Sequence, residues 1–106
     1  MNTEYASQLF ESLSSPIRLA IFQTLMREGR QGIVAGDLAK MLNLAPNKLS
    51  FHLKILSQSG LITSQNEGRF IRYYANLDLM MKLVGFLTEN CCQNGQDEHC
   101  SAFCCD

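Results

Sequence analysis

Residues 37–62 read DLAKMLNLAPNKLSFHLKILSQSGLI. Leu38, Met41 and Leu42 fall at helical spacing, and after Ala45-Pro46 so do Leu49, Leu53 and Leu56. The spacing predicts a short helix over Asp37–Asn43 that buries Leu38, Met41 and Leu42. It predicts a second, longer helix opened by Pro46, whose missing N–H is not needed in a first turn. Gly60 closes it, because glycine tolerates the left-handed backbone just past a helix end. Two such helices, if near a right angle and followed by a basic hairpin, would make a winged helix-turn-helix, whose second helix would enter the DNA major groove.

The flanks extend this pattern. Toward the N-terminus, YASQLFESL places Tyr5, Leu9, Phe10 and Leu13 at helical spacing. Ser15-Pro16 then pairs a capping residue with a first-turn proline, so SPIRLAIFQTLMREG begins a second helix. Ile17, Ala20, Ile21, Phe22 and Leu25 face its core side, and Gly29 ends it. Ile33-Val34 is a candidate short strand. Toward the C-terminus, LITSQN and RFIRYYA read as two strands joined at Glu67-Gly68. Last comes LDLMMKLVGFLTEN, a helix with Leu79, Met80, Leu83, Val84 and Leu87 on its apolar side, running directly into the first cysteines. The order predicts a mainly α chain with a β-hairpin wing, a winged helix-turn-helix.

Charge supports a nucleic-acid partner only when taken by region. The 106 residues carry a net charge of -1. Residues 34–75 hold Lys40, Lys48, Lys54, Arg69 and Arg72 against Asp37 and Glu67, a net of +3. Residues 76–106 hold Lys82 against Asp78, Glu89, Asp97, Glu98 and Asp106, a net of -4. A basic middle suits DNA phosphate. On the fourth helix, Asn47, Lys48, Ser50, Phe51 and Lys54 lie opposite the leucine side. Asn47 and Ser50 have the donors and acceptors to read base edges, and Phe51 suits a thymine methyl. Lys48 and Lys54, with Arg69 and Arg72 on the wing, suit phosphates. His52 falls on the core side and is expected to be a core histidine bonded to the backbone.

All five cysteines lie near the C-terminus: Cys91, Cys92, Cys100, Cys104 and Cys105. No apolar run approaches the roughly 20 residues of a membrane span, and the N-terminus lacks a secretory pattern. A cytoplasmic location follows, and there clustered thiols read as metal-binding or redox-active rather than as a disulfide framework. Soft ions select thiolates. Trivalent arsenic or antimony takes three sulfurs, and Cys91, Cys92 and Cys100 can supply them if the intervening QNGQDEH loops back. Zinc, cadmium or lead on four sulfurs, and thiol oxidation, stay open as alternatives. The expected organisation is a winged-helix unit over residues 1–90 and a cysteine-rich tail over 91–106. An enzyme is not expected: there is no glycine-rich phosphate loop, no carboxylate pair, and the first thiols follow a helix C-terminus, whose dipole disfavours a thiolate.

The segment at 37–62, its HLKIL and SGLI portions above all, and SPIRLAIFQTL resemble the ArsR/SmtB family of metal-responsive repressors over roughly residues 8–92. The resemblance implies a homodimer joined through the first and last helices. It implies binding to an imperfect palindromic operator and release when metal binds. Two familiar effector sites of the family are missing. The arsenic pattern ELCVCDL aligns with GIVAGDL, where Val34 and Gly36 replace its cysteines. The zinc pattern on the last helix needs histidine, and LDLMMKLVGFLTEN has none. NKLSFHL and FLTENCC instead resemble a third subgroup. That likeness implies arsenite sensing, with antimonite as a related effector, through Cys91, Cys92 and Cys100. Cys104 and Cys105 extend beyond its pattern.

Overall fold

The computed structural model describes residues 1–90. Cys91, Cys92, Cys100, Cys104 and Cys105 lie outside the described residues, as does the expected tail unit. The elements run α1 (Thr3–Leu13), α2 (Pro16–Glu28), β1 (Ile33–Val34), α3 (Ala35–Leu42), α4 (Pro46–Ser59), β2 (Ile62–Glu67), β3 (Phe70–Ala75) and α5 (Leu77–Thr88). This is the winged helix-turn-helix order. None of these helices is long and apolar enough to cross a membrane.

Local signals set most boundaries. The Asn2 side chain caps α1 by accepting from the Tyr5 N–H at 2.8 Å, so the helix starts two residues before the apolar spacing begins. Ser15 caps α2 with Pro16 in its first turn. Gly60 ends α4 at φ 87°, in the left-handed region expected there. α3 starts at Ala35, earlier than Asp37, and Asn43 terminates it at φ 54°. Asparagine is among the few non-glycine residues that adopt this conformation readily.

The hairpin turn is Gly68-Arg69, one residue later than the expected Glu67-Gly68, because Glu67 still pairs with Phe70. Only Gly68 of the two has positive φ. That is the two-residue turn whose twist matches the flanking strands and which needs glycine first. β3 sits at the centre of a three-stranded antiparallel sheet in the order β1-β3-β2.

The core takes Leu9 from α1, Ile21, Phe22 and Leu25 from α2, and Leu38 from α3. Leu49, Leu53 and Leu56 come from α4, Leu61 and Ile62 from the entry to β2, and Leu83 from α5. Each such side chain stabilises the fold by about 1.5–3 kcal/mol. Met41 is a correction: it is 57% exposed rather than buried. α3 lasts only eight residues, and Leu38 and Ala39 fill its contact with the core. α5 is also shorter than the expected LDLMMKLVGFLTEN. It ends at Thr88, with Glu89 extended and Asn90 at φ 60°, so the helix stops before the cysteines instead of running into them.

Gly32, directly before β1, has to be glycine for reasons of space as well as backbone. Its φ is 62°, and a Cβ there would stand 2.6 Å from the Tyr73 carbonyl oxygen and 2.7 Å from the Tyr74 ring. The carbonyl belongs to the central strand and cannot withdraw. Gly32→Ala is expected to cost roughly 2–4 kcal/mol from overpacking plus left-handed strain. Urea unfolding checks it. Gly36→Ala, a helical position with open space around its Cβ, is the control and should change stability little.

Candidate nucleic-acid interface

α4 carries the sequence-predicted readers on one side. Leu49, His52, Leu53 and Leu56 are buried. Asn47, Lys48, Ser50, Phe51 and Lys54 are all exposed. A helix turns 100° per residue, so Asn47, Ser50, Phe51 and Lys54 share an arc opposite the buried leucines, and Lys48 stands at its flank. Phe51 is 61% exposed and meets the His52 ring edge-to-face with centroids 5.3 Å apart. It therefore projects outward rather than folding over a neighbouring helix. The Asn47 side chain accepts from the Lys48 N–H at 3.0 Å, which leaves its amide group free to donate.

His52 departs from expectation in its partner. It is 8% exposed, but it bonds a side chain, not the backbone: Nη1 of Arg18 donates to its Nδ1 at 3.2 Å. Burial lowers its pKa from the ordinary 6.5, and the Arg18 and Lys48 charges lower it further. Nothing in the local pattern of α4 signals this partner, which comes from 34 residues away.

The wing places its two arginines differently. Arg69 lies in the turn itself and is exposed. Arg72 lies on β3, where its Nε donates to both carboxylate oxygens of Glu67 at 3.1 Å and its Nη1 donates to the Gln31 carbonyl at 3.0 Å. Arg72 thus neutralises the acid of the hairpin and ties the wing to the segment before β1. Phe70, next to Arg69 and 62% exposed, was not singled out by sequence. Its strand position gave no sign that it would stand at an open tip.

The other end of α4 is joined to α5. Asn76 caps α5 by accepting from the Leu79 N–H at 3.1 Å, and its Nδ2 donates to the Gly60 carbonyl at 2.9 Å. One side chain thus satisfies both helix ends.

A helix-turn-helix domain family matches residues 13–65. The Bacillus subtilis arsenical resistance operon repressor is 33% identical over 85 residues, covering 80% of this chain and 76% of that protein. The Bacillus subtilis transcriptional repressor SdpR is 30% identical over 81 residues, covering 76% and 87% respectively. A solved ArsR-like transcriptional regulator from Rhodococcus sp. RHA1 superposes with a TM-score of 0.70 at 31% identity, over 79% of this chain and 76% of that one. This chain belongs to the ArsR/SmtB family of helix-turn-helix transcription regulators. For an ArsR/SmtB member, the matched segment holds α2, α3 and α4 entire and the first part of the wing. Among the described residues, no three His, Cys, Asp or Glu side chains form a group able to hold a metal.

Proposed function

We propose that this protein is a homodimeric repressor that binds operator DNA and leaves it when trivalent arsenic or antimony occupies Cys91, Cys92 and Cys100. The observation that carries the DNA half is the exposed arc Asn47, Ser50, Phe51 and Lys54 on a helix whose opposite side is sealed into the core. Lys48 and Lys54 reach phosphates beside that helix, and Arg69 reaches them from the wing.

Dimerisation is supported by α5. Leu83 is its only fully buried side chain among the described residues, while Leu77, Met81, Val84 and Leu87 are exposed. Leu77, Met81 and Val84 fall on one stripe at helical spacing. Such a stripe is an association surface, and Phe10 of α1 adds a further exposed apolar side chain. A two-fold dimer would present both α4 helices to successive major grooves, roughly 34 Å apart.

The effector reading rests on the thiols. Five cysteines fall within the last sixteen residues, and pyramidal three-sulfur ligation suits trivalent arsenic. The likeness to an arsenical resistance operon repressor supports the same effector. The test is a gel shift of reduced protein on its own promoter DNA, titrated separately with arsenite, zinc and cadmium. Release by arsenite is expected. Release by zinc or cadmium alone would replace the metalloid with a divalent ion, and release only on oxidation would make the tail a thiol redox sensor.

A further inference from the structure

Arg18 joins three helices. Its Nε donates to the Ser12 carbonyl at 2.7 Å, and its Nη1 donates to His52 Nδ1 at 3.2 Å. Ser12 lies in the last turn of α1, where carbonyls have no partner within the helix. His52 lies mid-way along α4, beside Phe51. One planar guanidinium at the start of α2 thus spans from the end of α1 to the middle of α4. Lysine, with a single ammonium, cannot hold both acceptors in that geometry.

The chemistry of this contact sets a proton. An arginine is always a donor, so Nδ1 must present a lone pair, and a neutral imidazole then carries its proton on Nε2. A proton arriving on Nδ1 removes the acceptor and sets two cations face to face. Of the charged groups on the packed elements, the two cations that shift the ring oppose that proton. α2 contributes Arg18 and α4 itself contributes Lys48. α1 contributes Glu11, which lines the cleft that also holds Arg18. α3 carries Asp37 and Lys40, both exposed, and Glu67 of β2 is taken by Arg72.

We infer that Arg18 is a positioning residue for DNA reading: it holds α4 against the end of α1 through a neutral His52, and protonation of His52 releases that hold and weakens operator binding. The inference rests on α4 being the reading helix. It assigns acid sensitivity to a contact that uses none of the thiols.

The sign follows from linkage. His52 in the folded, braced state has a pKa below its ordinary 6.5. Above 6.5 the brace is fully present. As pH falls through 6.5 toward the lower folded value, unbraced forms take up a proton that the braced form refuses, and the bias toward the braced state is lost.

The test is operator affinity of the full chain against pH, in a His99→Gln background so that His52 is the only histidine. Affinity is expected to fall from pH 7.5 to 5.5, because His52 that has taken up a proton on Nδ1 cannot accept from Arg18. His52→Asn keeps an acceptor near the Nδ1 position and cannot ionise, so its affinity should be flat over that range. Arg18→Met, which removes both the donors and the charge, should lose affinity at pH 7.5 with an unchanged salt slope, as expected of a residue that acts on α4 and not on a phosphate. A His52→Asn variant that keeps the wild-type pH profile overturns the proposal, and so does a shallower salt slope in Arg18→Met. Nitrogen NMR of the imidazole decides the proton without DNA: an Nε2–H tautomer is expected, and an Nδ1–H tautomer overturns the brace. Complete loss of DNA binding on the wild-type chain would count against the docking of α4, and the NMR result would still judge the brace.

Discussion

With Cys91, Cys92 and Cys100 all changed to serine, the protein is expected to stay on its promoter DNA at arsenite concentrations that clear the wild type. A metalloid shifts the equilibrium only through its different affinity for the two states. Couplings between sites are typically about 1–3 kcal/mol, or 5–150-fold in affinity. Wild-type DNA affinity should therefore fall on the order of 100-fold under saturating arsenite, a coupling toward the upper end of that range. The triple variant should change by less than about twofold, since hydroxyls are hard, weak ligands for a soft ion. Cys104→Ser with Cys105→Ser should leave the response intact. Fluorescence anisotropy of labelled promoter DNA measures all three proteins. Undiminished release from the triple variant would remove these thiols from the mechanism.

A shallower salt dependence is the second large effect expected. In the proposed dimer, Lys54→Ala with Arg69→Ala would remove two phosphate contacts per subunit and four in all. Each contact contributes about 0.9 to the slope of log K against log salt, so the slope should flatten by about 3.6. At ordinary ionic strength that corresponds to a loss of roughly 10²- to 10³-fold in affinity. Arg72→Ala should act by another route. Its guanidinium already serves Glu67 and the Gln31 carbonyl, so its removal bares a carboxylate on the wing. Glu67→Gln in the same chain should then restore most of the lost affinity, whereas it should not rescue Lys54→Ala. Equal slopes for wild type and the Lys54/Arg69 variant would rule out this docking.

The two tethers on α4 give these predictions a structural frame. Arg18 grips its middle from the α1 side, and Asn76 grips its end from the α5 side. The helices that carry the exposed apolar side chains of the proposed dimer are thus both linked to the helix that would read DNA, α1 through Arg18 of α2 and α5 through its cap Asn76. A change at the end of α5 has a short covalent and hydrogen-bonded path to Gly60 through twelve residues of helix and one asparagine side chain.

Much of this protein was legible in residue order alone. Helix identities followed from leucine spacing and from Ser15, Pro16, Pro46 and Gly60, because capping and periodicity are local properties. The exposed arc of α4 followed from the same periodicity: once Leu49, Leu53 and Leu56 face inward, Asn47, Ser50, Phe51 and Lys54 have only solvent left. The residues that departed from expectation did so for non-local reasons. Met41 shares the apolar spacing of α3, but the core beneath that helix is already filled by Leu38 and Ala39. His52 was placed inside correctly, yet its partner arrives from a helix 34 residues earlier. Arg72 and Arg69 look equivalent in the chain. Strand register alone puts one beside Glu67 and leaves the other in the turn. Spacing along a chain determines which side of an element is apolar. Which polar groups meet across elements is decided only when the elements pack, because a side-chain hydrogen bond depends on distances that no local pattern encodes.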